Sequence, residues 1–325
     1  MLKRGWPQLN GAPPRKWLHE DMSPSQQEHY VSQAYLRRFA HNATIIHVFD
    51  KKNLRSFKTN IRNVAAEKGF YDLPKQPAAD HGVDPQLPEK TLAELEKMFD
   101  ASIARVLRLV DLGADQVIDE SARLEIAHFL VVQNTRTRES RALIAQIFQK
   151  LGESLLPGPV LPDGSTVKVE ANEDWVRLFQ TAQIFNPHTL QLHTKALLSH
   201  IWFVGLNKTE QRLYSSDHPF VKRAHYQDPY LSTLGLASPG IELACPLSPN
   251  HVLILCDRTA FQAYEPSDNK SVRLTSDNVT YYNSLQVFQS YRQVYSVAAD
   301  FTLALRVCRE HPEARQAQRT RVVVE

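Results

Sequence analysis

Cysteine is scarce in this chain, whose 325 residues hold only Cys245, Cys256 and Cys308. The three stand far apart with no CxxC spacing, so neither a zinc knuckle nor a disulfide framework follows from them. Three buried thiols in a reducing compartment are expected instead. An excess of one charge is also missing. The 38 Lys and Arg nearly cancel the 35 Asp and Glu, leaving a formal charge of +3. Basic residues scattered along the whole length do not argue for nucleic acid by themselves. No uninterrupted apolar run nears membrane length, and the first twenty residues carry Pro, Gln, Asn and Gly where a signal peptide needs an apolar stretch. The expectation is a soluble cytoplasmic protein with no membrane association. Also absent are a GxGxxG nucleotide turn, a GxxxxGK[ST] phosphate loop, an HExxH zinc helix and a GxSxG nucleophile elbow. The pairs His81 and His128, and His41 and His47, have no spacing that suggests a preformed metal site.

What the sequence does hold is enough apolar residue, 42%, to bury a full core without staples. Residues 1–27 read as an irregular arm, rich in Pro, Gly and polar residues, that Trp6 and Trp17 could pin. Ile46, Val48 and Phe57 flank the polar turn Asp50–Asn53 as a β-hairpin should, and a Pro-rich linker follows the aromatic pair Phe70 and Tyr71. From about residue 89 the apolar period becomes helical. Leu92, Leu95, Phe99, Ile103, Val106 and Val110, then Leu124, Phe129, Val132, Leu143 and Phe148, predict two long antiparallel helices joined near Leu112-Gly113-Ala114. A third helical region, about 173–200, should break near Asn186-Pro187. Beyond it HIWFVGLN, RLYSS, IELACPL, HVLILCD and QVYSV read as strands, with a helix from Ser276 on a Ser-Asp cap and another in ADFTLALRVCREH. The fold class is therefore α+β: a mostly antiparallel sheet with long helices inserted between β segments, one domain over 28–310 with a helical insertion at about 89–200, and a basic tail at 311–325.

Several separated pieces carry a family resemblance: HYVSQAYLRRF, NVAAEKGFY, LAELEKMF, FLVVQNTRTRESR, SSDHP, the PLSP at 246–249 and NSLQVFQSYRQVYS. Their order resembles the bacterial domain-of-unknown-function 4238 family over about residues 29–296. Ser32 stands where that family usually has proline, and both residues favour a helix start. The resemblance implies an intracellular bacterial protein and supplies no mechanism.

The residues with chemistry to offer are few. His29 should sit just outside a helix capped by Ser32, a position that suits a general base, a metal ligand or a hydrogen-bonded core histidine. Tyr30 lies beside it. Glu67 precedes the Phe70-Tyr71 pair, and Glu96 falls near the apolar stripe of its helix, where its charge needs a partner. Gln133, Arg136 and Thr137 share a helix face. Arg136 could brace Glu96 between two helices, or with Gln133 clamp a phosphate or carboxylate. In SSDHP, Ser216 and Asp217 sit at a strand end where an Asx-turn could fix the carboxylate, orient His29 or share a divalent ion with it. Glu242 and Ser248 rank second.

Two functions follow as expectations. The first is a hydrolase, a metal-dependent phosphodiesterase or nuclease, with His29, Asp217, Glu96 and Glu67 as the polar core. Gln133, Arg136, Tyr30 and Ser216 would bind substrate, a divalent metal ion would be the cofactor, and nucleic acid or another phosphate-containing ligand the partner. The second is a non-enzymatic binding or regulatory protein whose polar network is structural. In that case Arg315, Arg319 and Arg321 of the tail would face a partner, and Val322 to Val324 could add a strand to another sheet edge.

Overall fold

Residues 27–72, 87–155, 170–226 and 234–321 are described by the structure, a computed structural model. The expected N-terminal arm, most of the Pro-rich linker, most of the turn-rich run after residue 155 and the last valines lie outside them.

The chain enters as a short strand β1 (Gln27–His29), then turns into α1 (Gln33–Arg37), whose N-cap is Ser32 with its hydroxyl accepting from the Tyr35 N–H at 3.4 Å. The hairpin forms as its alternation requires, β2 (Ile45–Asp50) against β3 (Arg55–Asn60). One Asp50 carboxylate oxygen accepts the N–H groups of Lys52 and Asn53 at 3.0 and 3.3 Å, which tightens the turn. Strand β4 (Ala66–Lys68) then pairs back on β1 and sets Glu67 opposite Glu28.

The helical region departs from the two-helix expectation. After α2 (Leu87–Asp111), the second long helix is broken into α3 (Glu120–Thr135) and α4 (Arg138–Leu155). Apolar period alone ran through the break because Phe129, Val132 and Leu143 keep it. What interrupts the helix is polar: the Thr137 hydroxyl accepts the Ser140 N–H at 3.3 Å, and Gln180 donates to the carbonyls of Thr135 and Thr137 at 2.8 and 3.0 Å. The break at Asn186-Pro187 falls where expected, between α5 (Glu173–Phe185) and α6 (Pro187–Leu198), with the Asn186 side chain capping the second helix through His188 and Thr189.

The remaining elements are β5 (Ile201–Leu206), β6 (Ser215–Ser216), β7 (Val221–Ala224), β8 (Ile241–Ser248), β9 (His251–Cys256), β10 (Lys270–Arg273), α7 (Ser276–Gln289), β11 (Gln293–Ser296) and α8 (Thr302–Glu310). The cap of α7 is Thr275, one residue before the expected Ser-Asp pair, because Thr275 and Asn278 exchange side-chain and backbone bonds as a capping box. Five strands run in the order β10-β5-β9-β8-β7, all antiparallel except β10 beside β5, and four run β3-β2-β11-β6. The fold is α+β with antiparallel pairing dominant.

Alternation along the five-stranded sheet divides its side chains between two cores. Trp202, Val204, Leu243, Leu253 and Leu255 join the cluster that holds Phe99, Ile126 and Phe129 of the long helices. Ile201, Phe203, Ala244, Val252 and Ile254 pack with Val279, Tyr282 and Leu285 of α7. With both faces covered, the strands read as continuous apolar runs, IWFV and HVLILC.

Candidate functional site

The break after α3 carries Arg136 into the interior, where its side chain is 2% exposed. One guanidinium nitrogen pairs with Glu96 of α2 at 2.7 Å. The other donates to the His29 carbonyl, and Nε donates to the Tyr71 hydroxyl at 3.1 Å. Burial opposes the Arg136 charge, and Tyr71, Glu96 and Glu89 more than offset it. Gln133, also buried, donates to the Tyr30 carbonyl at 3.0 Å. Of the two roles open to Arg136 and Gln133 in the sequence, the geometry is that of the brace. Both fasten the HYVS segment to the helices, which leaves no guanidinium fork facing outward for an anion.

His29 is 7% exposed. Its Nδ1 lies 3.3 Å from the Gln33 amide, and Nε2 is buried without a hydrogen-bond partner. Burial and the nearby Arg136 charge hold its pKa below the usual imidazole value. Glu28, from the preceding residue, accepts the Tyr71 N–H at 2.6 Å; burial, with Asp72 and Glu89 adding like charge, pushes it up to about 7. Beside this network the cavity against Ser32, Tyr35 and Glu96 has a volume of about 10 Å³, room for one water and not for a substrate.

Asp217 lies elsewhere. It is 1% exposed, and instead of closing an Asx-turn it accepts three backbone N–H groups, from Tyr291 at 2.7 Å and from Arg292 and Gln293 at 2.8 Å. Burial raises its pKa to about 6 against the opposing pull of Lys51 and those amides. The Lys51 ammonium is itself fully buried on the carbonyls of Val287 and Ser290, both at 2.7 Å. No contact joins Asp217 to His29, so the expected imidazole–carboxylate pair is corrected. The reason is alternation: consecutive residues of an extended segment point to opposite sides. With His29 turned toward Arg136, it is the Tyr30 phenol that feels the Asp217 charge.

The other expected site residues also have local duties. Ser216 donates to Gln286 at 2.7 Å and accepts the His218 N–H. Glu67 is half-exposed and pairs with Arg138 at 3.3 Å. Ser248 bonds His251 Nδ1 at 2.8 Å. Arg319 and Arg321, expected to face a partner, both pair with Glu139 at 2.8 Å. Among the described residues no group of three or more His, Cys, Asp or Glu side chains is placed to hold a metal ion. The expected divalent ion therefore finds no fitting donor set there.

Among the described residues, two solvent-open polar regions have the makings of a site. A groove of about 750 Å³ runs between the hairpin turn and the C-terminal segment, lined by Lys52, Tyr291, Arg315, Gln316 and Gln318 and, among the described residues, by no carboxylate. Arg315 reaches the Lys52 carbonyl at 3.3 Å while its Nε is buried without a partner. The Tyr291 ring is flanked by Arg138 and Arg321, at 5.1 and 5.9 Å. The second region was ranked low in the sequence. Glu242, 7% exposed on β8, accepts Tyr282 at 2.7 Å and Tyr281 at 3.0 Å, and meets His225 Nε2 at 2.7 Å. Of this cluster only Glu242 was named from the sequence; Tyr281, Tyr282 and His225 were missed, and the adjacent tyrosine pair is the one local pattern that could have drawn attention to it.

An α+β protein that fastens its N-terminal motif inside the helical layer and keeps its open polar surfaces at the C-terminal side is the class that this fold and these sites define. The model of the DUF4238 family, proteins of unknown function, matches residues 27–300, and the chain belongs to that family. No curated protein and no solved structure gives a significant match. Among the described residues no helix is long and apolar enough to cross a membrane.

Proposed function

We propose that this is a non-enzymatic binding or regulatory protein that takes a phosphate-bearing small ligand in the groove of Lys52, Tyr291 and Arg315. The observation that carries the reading is the groove's combination of size and chemistry. A volume of about 750 Å³ falls in the range of small-molecule sites. Two cations without a carboxylate in the lining suit phosphate oxygens, and the Gln316 and Gln318 amides suit the rest of a polar ligand. The separate burial of His29, Asp217 and Arg136 supports a structural role for them and gives the hydrolase alternative no common place to work. Three free, buried cysteines suit a cytoplasmic location.

Calorimetric titration with a nucleoside triphosphate, inorganic pyrophosphate and a short single-stranded oligonucleotide tests this. At least one of the first two should bind with an affinity that falls as salt rises. The double reversal Lys52→Glu, Arg315→Glu should weaken it by about tenfold or more. Binding that survives the reversal places the ligand elsewhere. No binding by either small phosphate, or binding of the oligonucleotide alone, overturns the small-ligand reading.

A further inference from the structure

The edge of the five-stranded sheet next to α7 holds an arrangement that the groove does not involve. The pairing of β7 on β8 continues one residue past the strand, through the His225 N–H to the Gly240 carbonyl at 3.0 Å. Two-residue alternation then sets Arg223 and His225 on the same face. His225 is 38% exposed, and its Nε2 meets a Glu242 carboxylate that is almost fully buried. Among the described residues Glu242 has no ion-pair partner except His225, and it is held in place by two phenols from α7. Burial and the Glu242 charge keep both phenols well above their usual pKa, so they stay donors. In the neutral ring a carboxylate at this distance requires the proton on Nε2, so it orients the ring and leaves the lone pair on Nδ1. This is the logic of a base or nucleophile oriented by a third group. Arg223 is exposed, lies two residues from His225 on the same strand face and is near enough for its charge to act on Tyr281, which puts a cation on the face that an anionic reagent would approach. Phe261 closes one side, its ring 5.2 Å from the imidazole and edge-on.

We propose that His225 is an activated nucleophilic histidine that accepts a phosphoryl group from small anionic phosphoryl donors, with Glu242 as its orienting carboxylate and Arg223 holding the donor. In the step, the Nδ1 lone pair forms an N–P bond as the bond from phosphorus to the leaving group breaks, and the leaving group takes that electron pair. With phosphoramidate as donor, ammonia departs. The positive charge that develops on the ring is balanced by Glu242 through the Nε2 proton.

The test uses the full chain incubated with phosphoramidate, with acid-labile phosphate mapped by mass spectrometry and the N–P resonance followed by ³¹P NMR. His41 and His188 are exposed histidines in the same chain and serve as internal references. His225 should be labelled about fivefold faster than either, or more. Glu242→Gln should bring it down to their rate. Arg223→Gln should slow labelling by phosphoramidate while leaving modification by the uncharged reagent diethyl pyrocarbonate unchanged. Labelling of His225 no faster than that of His41 and His188 overturns the proposal, and this comparison needs no variant. An unchanged rate in folded Glu242→Gln overturns it equally. The reversal of Lys52 and Arg315 should leave the labelling intact, so failure here and failure of the groove reading are told apart.

Discussion

The interior around Arg136 and the sheet edge around Glu242 are made of the same residue types: an imidazole, carboxylates, tyrosine hydroxyls and an arginine. Their dispositions are opposite. Inside, the guanidinium donates to Glu96, to the His29 carbonyl and to Tyr71, the imidazole is 7% exposed, and the adjoining space admits one water. At the edge the carboxylate is the buried member, and the imidazole attached to it is 38% exposed. A polar cluster becomes a site when one of its atoms keeps an unfilled valence toward solvent. Where the guanidinium is satisfied by the chain itself and the one imidazole nitrogen left without a partner, His29 Nε2, is sealed from solvent, the cluster is a fastener.

Removing the central cation gives the largest expected difference between the two regions. Arg136→Met should destabilise by about 3–5 kcal/mol, because Glu96 and the His29 carbonyl lose a charged partner inside the protein. Urea unfolding measures it, and a loss below about 1 kcal/mol would mean that the interior is not fastened through this residue.

A pH series sharpens the comparison at intermediate size. The Glu28 carboxyl titrates near 4.5 in the unfolded chain and at about 7 in the folded one. The folded state therefore holds the extra proton between those values, and stability from this group is complete below about 4.5 and declines as pH climbs to 7. Glu28→Gln keeps an acceptor for the Tyr71 N–H and removes the titration. The variant should gain about 1–3 kcal/mol on the wild type between pH 5 and pH 8. His218, pushed down to about 4 by burial, changes stability in the opposite sense, but it is common to both chains and cancels in the difference. A difference that does not change with pH would show that Glu28 is not desolvated.

The smallest effect belongs to the edge. His225→Gln should alter stability by less than about 1 kcal/mol, since the pair it breaks is partly solvated and Glu242 keeps both phenols. A loss as large as that of Arg136→Met would make the edge a second fastener and erase the contrast.

Local patterns in the sequence were readable where one residue type has one physical consequence. Asn186-Pro187 could only interrupt a helix, Ser32 served as the cap, and the alternation around Asp50–Asn53 gave a hairpin in register. The break at Arg136 and Thr137 was not readable, because the carbonyls there are satisfied by Gln180, 43 residues away from Thr137. Glu96 pairing with Arg136 was legible from helical spacing and burial. The placement of Asp217 was not, since its three partners are backbone amides of residues 291–293, which look like any others in a string of letters.

Composition, period and caps by themselves determined the α+β class, the hairpin, the helical region and the longer strands β5, β8 and β9, and which residues are polar within an apolar setting, but not the short strands β1, β4, β7 and β10 or the break between α3 and α4. Only the tertiary structure decided which of those polar residues face one another and which face water. Hydrophobic period depends on near neighbours in the chain, whereas the satisfaction of a buried charge depends on whichever distant backbone or side chain the packing brings to it.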